Sequence, residues 1–528
     1  MKRMITASLV AALAITGVQA ESLSEKVTSL ETELAKVKKD LDRQNDKINE
    51  VKAHDSGDNI KWGADMRTSF DSISYDMADG RTEGNDFFSM RLWLNMAYAP
   101  DRNNVFKGQL SMNKAFGASF DNPMNRPYDA FDWTTNEALT DTTLRVRQAY
   151  WLYLGEKAFG LDMPWTFSIG RRPSTNGFLA NLSQDDPAAS PLGHIINVEY
   201  DGLSSKLDLS RVTGIPGMSI KLCAGNGSTN AVPLIGSPTP NADVEANGME
   251  DIQLAGFIFE PYNDGQFVTK ALWFKAWDLP DLNNPMAQPV NPDGTLQLDY
   301  GVMSQVGNME GGAFSALVDG VTDDGYFSDV KLFGSIAYSK TDPYAGSSML
   351  GSEDQETGES YWVGAYLPVT DGENDYGRVG LEYNHGSQYW RPFTYGEDTM
   401  AGSKIATRGD AYEANYTYHF NEALSMQLRY VRMDYEYTGS NGFFGSTTGS
   451  AMKIEDVKDG AAMWTQLGGT GDPTDPLNSA AVVGNLMAGG MDQASAEAAA
   501  GQMAMASAML PNIVETAEDF RFYIRYRF

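Results

Sequence analysis

From Ile60 onward the chain alternates apolar and polar residues with a period of two, the repeat of a β-strand whose faces meet different solvents. In IKWGADMRTSFD, Ile60, Trp62, Ala64, Met66, Thr68 and Phe70 share one face, and Lys61, Gly63, Asp65, Arg67, Ser69 and Asp71 the other. The next segment repeats this, with Phe88, Met90, Leu92, Leu94, Met96 and Tyr98 opposed to Ser89, Arg91, Trp93 and Asn95. A turn from Pro100 to Asn104 leads to a third strand with Lys107, Gln109, Ser111 and Asn113 on its wet face. The closing EDFRFYIRYRF sets Phe520, Phe522, Ile524, Tyr526 and Phe528 against Arg521, Tyr523, Arg525 and Arg527. A soluble sheet would bury such an apolar face against helices, and this chain offers almost none with a face to spare. Lipid on the apolar side and a watery lumen on the other account for both faces.

Further strands are expected near 144–155, 164–173, 195–210, 216–226, 250–261, 266–278, 296–319, 327–340, 360–369, 376–388, 404–420, 424–437 and 518–528. With the first three these make sixteen, an all-β antiparallel transmembrane barrel. The stretch 296–319 is too long for one regular strand, and Pro368 limits pairing in 360–369. The turns at Tyr262–Gly265 and Asn421–Ala423 fall on the periplasmic side, and the long 118–142, 227–249 and 440–517 connections fall outside. Residues 478–510 are rich in Ala, Met and Gly, with a helix expected around Gln493–Met509, so 440–517 reads as an extracellular loop, lid or plug. Its methionines suit irregular contacts better than a metal site.

Between Leu23 and Val51 the period changes to 3.5. Val27, Leu34, Leu41 and Ile48 take a positions, while Leu23, Leu30, Val37, Gln44 and Val51 take d. In a parallel assembly Lys26 meets Glu31 and Glu33 meets Lys38, so a trimeric coiled coil is expected, with Gln44 fixing register. At 1.5 Å per residue its rod reaches about 45 Å.

Composition adds the compartment. MKRMITASLVAALAITGVQA reads as a signal peptide cleaved before Glu21. The domains expected are therefore 1–20 signal peptide, 21–54 coiled-coil stalk and 55–528 barrel. Formal net charge is −30 from 40 basic and 70 acidic residues; removing Lys2 and Arg3 gives 38 − 70 = −32, which disfavours nucleic acid as a partner. No segment holds about 18 consecutive apolar residues, which excludes helical spans and leaves a closed barrel as the way across a membrane. One cysteine, Cys223, rules out an intramolecular disulfide and Cys-pair metal or haem motifs. GGTGD lacks the lysine of a phosphate loop, and no Ser-His or Cys-His arrangement stands out, so neither an enzyme nor a cofactor is expected.

The chain end resembles the closing strand of Gram-negative outer-membrane barrels, which implies that Phe522, Ile524, Tyr526 and Phe528 are read by the barrel-assembly machinery. Arg147, Gln148, Ala149 and Tyr150, followed by Gly170 and Arg171, resemble the general diffusion porins of Gram-negative bacteria over about thirty residues. That resemblance implies a constriction loop at 174–194, with Asp185 and Asp186 facing an arginine ladder of Arg145, Arg147 and Arg171, near Arg67, Arg91 and Arg172. Opposed charges across a narrow aqueous gap would sort solutes by charge and dipole. Arg521, Arg525 and Arg527 are placed at the periplasmic mouth in a structural role. The coiled coil and long final loop depart from the general porins and are more like porins tied to the layers beneath the membrane. The expected function is a homotrimeric porin passing small hydrophilic solutes and ions. The alternative is a tether from outer membrane to peptidoglycan with secondary channel activity; a third reading is a substrate-specific or electron-conduit barrel.

Overall fold

The computed structural model describes residues 60–118, 139, 142–172, 175–229, 250–282, 303–372, 374–394, 400–440, 450–470, 473 and 476–528. The expected signal peptide and the expected coiled coil, with its seam of Val27, Leu30, Leu34, Val37, Leu41, Gln44 and Ile48, fall outside these residues.

Sixteen strands close into an antiparallel barrel in chain order. They are β1 (Lys61–Met77), β2 (Thr82–Tyr98), β3 (Asn104–Ala115), β4 (Arg145–Gly155), β5 (Trp165–Arg172), β6 (Tyr200–Asp208), β7 (Ser219–Ser228) and β8 (Ile252–Asn263). β9 (Phe267–Leu282), β10 (Met303–Asp319), β11 (Lys331–Pro343), β12 (Thr357–Thr370), β13 (Asp375–Gly386), β14 (Gly409–His419), β15 (Leu424–Tyr435) and β16 (Val514–Arg527) follow. The ladder between β1 and β16 runs from Asp65↔Arg527 to Met77↔Val514, so the arginine-bearing closing strand seals the sheet and no edge remains. Both chain ends of the barrel emerge at one mouth, where the turns are short; the long connections crowd the other.

The outer surface presents Trp62, Met66, Phe88, Val146, Ile336 and Ile524, all exposed. Each such side chain forfeits about 1.5–3 kcal/mol in water relative to burial, so the surface is fitted to hydrocarbon. The inner phase of β1, β2, β15 and β16 buries Asp65, Arg67, Asp71, Arg91, Arg429 and Arg521.

Strand count agrees with the alternation, and the departures have local causes. The β3–β4 ladder pairs Gln109 with Gln148 but Leu110 with Val146, leaving Arg147 as an extra, bulged residue. Before the bulge Val146 faces outward; beyond it the phase reverses, so Tyr150 is buried and Trp151 is exposed among Tyr153 and Phe167. Uninterrupted alternation puts Trp151 in the lumen and Tyr150 outside, which the bulge corrects. Residues 195–199 and 404–408, expected as strand, belong to segments turned into the barrel. Pro368 does sit in a ladder, opposite Arg378, and the register breaks immediately after it, as a missing donor requires.

In the long last connection α1 (Ile454–Gln466), α2 (Pro476–Ala488) and α3 (Gln493–Met509) form a cap. The expected helix over Gln493–Met509 is α3, its first turn held by the Asp492 carboxylate accepting from Ser495 N at 3.0 Å. Ile454, Val457, Met505 and Met509 pack on Ala411, Val431, Met433 and Ala517 of the barrel rim, so the cap seats on the long-loop mouth.

Candidate functional site

Residues 175–199 join β5 to β6 and turn into the barrel. Their compact path depends on two glycines: a Cβ on Gly177 would lie 2.6 Å from Pro191 O, and one on Gly193 2.5 Å from Ala180 Cβ. The segment splits chemically. Leu192, Ile195, Ile196 and Val198 are buried against Leu254, Ile258, Leu272 and Phe274, an apolar inner wall on β8 and β9. Phe178, Leu179 and Leu182 pack on Phe333, Trp362 and Tyr366 of β11 and β12. His194, wholly buried between Trp362 and Trp390, lies 2.7 Å from Ser335 Oγ and 2.9 Å from Ser360 Oγ. Burial pushes its pKa down to about 3, outweighing a side-chain hydrogen bond with Asn384, so the ring is neutral at pH 7.

The tip crosses to the short-turn mouth and is held there by charge. Arg525 Nη2 donates to Asp186 Oδ1 at 2.6 Å, and Arg527 reaches Asp186 at 3.2 Å and Asp185 at 3.1 Å. Asp185 also lies 3.4 Å from Arg378 Nη2 and 3.1 Å from His419 Nε2. Arg525 Nη1 donates to Gln184 O, and Gln427 Nε2 to Ser183 O. Asp185, Asp186, Arg378, Arg525, Arg527 and Lys331 line a cavity of about 690 Å³ at that mouth.

The aspartates therefore meet β13 and β16, and not the ladder of Arg145, Arg147 and Arg171. Arg147, at the bulge, donates to Gln109 Oε1 at 2.6 Å and to Thr175 Oγ1, and its Nη2 lies 3.5 Å from Glu199. It pins the upper stem of the segment rather than its tip. Arg91 Nη2 is 3.7 Å from Asp65, with its guanidinium 3.5 Å from the Trp93 ring centroid, and Arg67 stands 5.1 Å from that of Tyr523. Arg145 is half-buried on β4. Arg171 pairs with Asp201 at 3.2 Å, and Arg172 donates to Ser204 Oγ at 3.1 Å. Arg525 and Arg527, placed by sequence in a structural role, are the partners of the aspartates; Arg521 pairs with Asp71.

A second pair of stretches, residues 387–394 and 400–408, also enters the lumen, a feature the sequence reading missed. Ile196 and Asn197 pair in parallel with Phe393 and Thr394, tying the two segments together. Lys404 lies 2.6 Å from Glu382 and also meets Glu413, which accepts from Arg429 Nη2 at 2.8 Å. All four are buried. Burial opposes the charge on Lys404, but the Glu382 and Glu413 carboxylates outweigh it and hold its pKa above the ordinary value. The signal available in sequence was that Glu382, Glu413 and Arg429 occupy inner positions of their strands.

A family profile described as "Protein of unknown function (DUF3373)" matches residues 81–469. No curated protein sequence matches the chain. Among solved structures, OprB of Pseudomonas putida aligns at 10% identity over 90% of this chain and 96% of that one, with a TM-score of 0.43. The outer-membrane channel DcaP of Acinetobacter baumannii aligns at 13% identity over 89% and 97%, TM-score 0.40. OmpF of Salmonella typhi, in complex with daunomycin, aligns at 11% over 90% and 99%, TM-score 0.40. The strand count and closure stand on the hydrogen-bonded register alone.

Proposed function

We propose that this chain, which belongs to the DUF3373 family of proteins of unknown function, is an outer-membrane porin of narrow bore for small hydrophilic solutes and ions. The short-turn mouth faces the periplasm, with the coiled coil of residues 21–54 below it as trimerisation stalk or spacer, and the helical cap faces outward. Segment 175–199 is the constriction, in place of the narrower 174–194.

The observation that carries this reading is the charged tip of that segment, seated on Arg525, Arg527 and Arg378 at the rim of a 690 Å³ cavity. Opposed charges at a lumenal mouth of low dielectric set a field that selects by charge. The two infolded segments argue for a small conductance rather than a wide pore. They equally favour the tether reading, in which conduction is secondary. Planar-bilayer recording of the purified protein separates the two: discrete conductance steps in potassium chloride are expected, and a bilayer that stays silent with folded protein inserted would overturn the channel.

A further inference from the structure

Three lysines line the inner wall at the short-turn ends of β6, β7 and β9. Lys206, Lys221 and Lys270 share the inward phase of the buried Ser204, Ser219 and Leu272, and Lys206 stands directly opposite Lys221 in the ladder. Like charges so placed repel. Glu260 of β8 lies 3.8 Å from Lys206 Nζ and 3.9 Å from Lys270 Nζ, while also accepting from Asn263 Nδ2 at 2.5 Å. The infolded segment closes the row from the lumen side: Lys221 donates to Ser190 Oγ at 2.7 Å, and Lys270 Nζ sits 4.7 Å from the Phe178 ring centroid.

Arg172 adds a fourth cation. It is 7% exposed, stacks 4.7 Å from the Tyr150 centroid and donates one hydrogen bond to Ser204. Its Nε and Nη1 are buried without a partner among the described residues. Arg172, Lys221 and Ser190 line one cavity of about 40 Å³, and a water needs roughly 10–15 Å³ of such space. Glu199, the acid nearest on the segment, is already engaged by Arg147 and Thr175. Among the described residues, Glu260 thus meets two of the cations, Lys206 and Lys270, while the other two, Arg172 and Lys221, border a cavity with space for a small ion.

We propose, building on the channel reading, that this row is a binding site for a small oxyanion such as inorganic phosphate. A guanidinium and clustered ammonium groups match the tetrahedral oxygens, and the repulsion between Lys206 and Lys221 is relieved when the anion sits between them. The site gives the pore an anion-selective step in a chain whose overall charge is strongly negative.

The test uses the full-length protein with chloride and inorganic phosphate as probes. In bilayers, phosphate is expected to block the chloride current, and Lys206→Gln/Lys221→Gln to weaken the half-block about tenfold and shift the reversal potential toward cations. Arg172→Gln is expected to weaken the block without altering the barrel's heat-modifiable migration. Conduction that phosphate does not block, or that both variants leave unchanged, overturns the site. If the native protein does not conduct, thermal unfolding with phosphate decides the site separately. A phosphate-dependent rise in Tm that the double variant loses sustains the site and removes the channel; no rise removes both.

Discussion

Replacing Lys404 by Met tests whether the second infolded segment is latched by charge. Lys404 Nζ lies between Glu382 and Glu413, and among the described residues the other cation bonded to that pair is Arg429, 2.8 Å from Glu413. The substitution leaves the buried Glu382 carboxyl without its cation, supported by Trp362 Nε1 at 3.0 Å and the Tyr366 hydroxyl. Removing one partner of a buried ion pair costs about 3–5 kcal/mol. Against that loss the docked form of residues 400–408 drops by about two to four orders of magnitude relative to the undocked one. The expected readouts are larger or noisier single-channel conductance and a lower Tm in detergent. Lys404→Met/Glu382→Gln restores balance, since Glu413 keeps Arg429, the carbonyl of the introduced amide accepts from Trp362 Nε1, and its NH2 donates to the Tyr366 oxygen. The double variant should therefore recover much of both. A single variant indistinguishable from native, or a double variant worse than the single, would refute the latch.

Two further outcomes follow from the site. His194 binds no proton in the folded protein until about pH 3, whereas its unfolded value is 6.5. Its contribution is full above pH 6.5 and is lost as pH falls, by about 3 kcal/mol at pH 4; Tm measured from pH 7 to 4 should drop in the native protein and drop less in His194→Asn. Asp186→Asn removes the charge that Arg525 and Arg527 share, a charge-assisted contact of about 1.5–3 kcal/mol, and reversal potentials in a potassium chloride gradient should move toward anions; an unmoved potential takes the tip out of the conduction path.

Alternation alone carried the barrel: the phase of β1, β2 and β16 placed Arg67, Arg91, Arg521 and Arg525 inside without any tertiary information. It failed where one extra residue entered β4, because a bulge leaves no trace in composition and reverses every later side chain. It failed again over partners. Asp185 lies 342 residues before Arg527, and nothing local says which stretch of wall an infolded segment will reach. One signal was present and unused. In β8 and β9, Leu254, Ile258, Leu272 and Phe274 are apolar on the inner face while Phe257 and Trp273 are apolar on the outer. A strand greasy on both sides cannot border a watery lumen, so those sequences announced an inner covering.

That double-sided apolar wall also decides which part of the lumen opens. Exposing Leu254, Ile258, Leu272 and Phe274 to water would cost about 1.5–3 kcal/mol each, or roughly 6–12 kcal/mol together, before the loss from Leu192, Ile195 and Val198 above them. The tip residues Asp185 and Asp186 bury little apolar surface beside an aqueous cavity; exchange with water offsets most of the half-exposed Asp185–Arg527 pair, whereas the Asp186–Arg525 pair is buried. Segment 175–199 is consequently anchored at its stem and through Asp186, and exchangeable at Asp185. The proposed channel therefore has its solute path on the charged side, beside the cavity that Asp185, Asp186 and Arg525 line, and not along the apolar side.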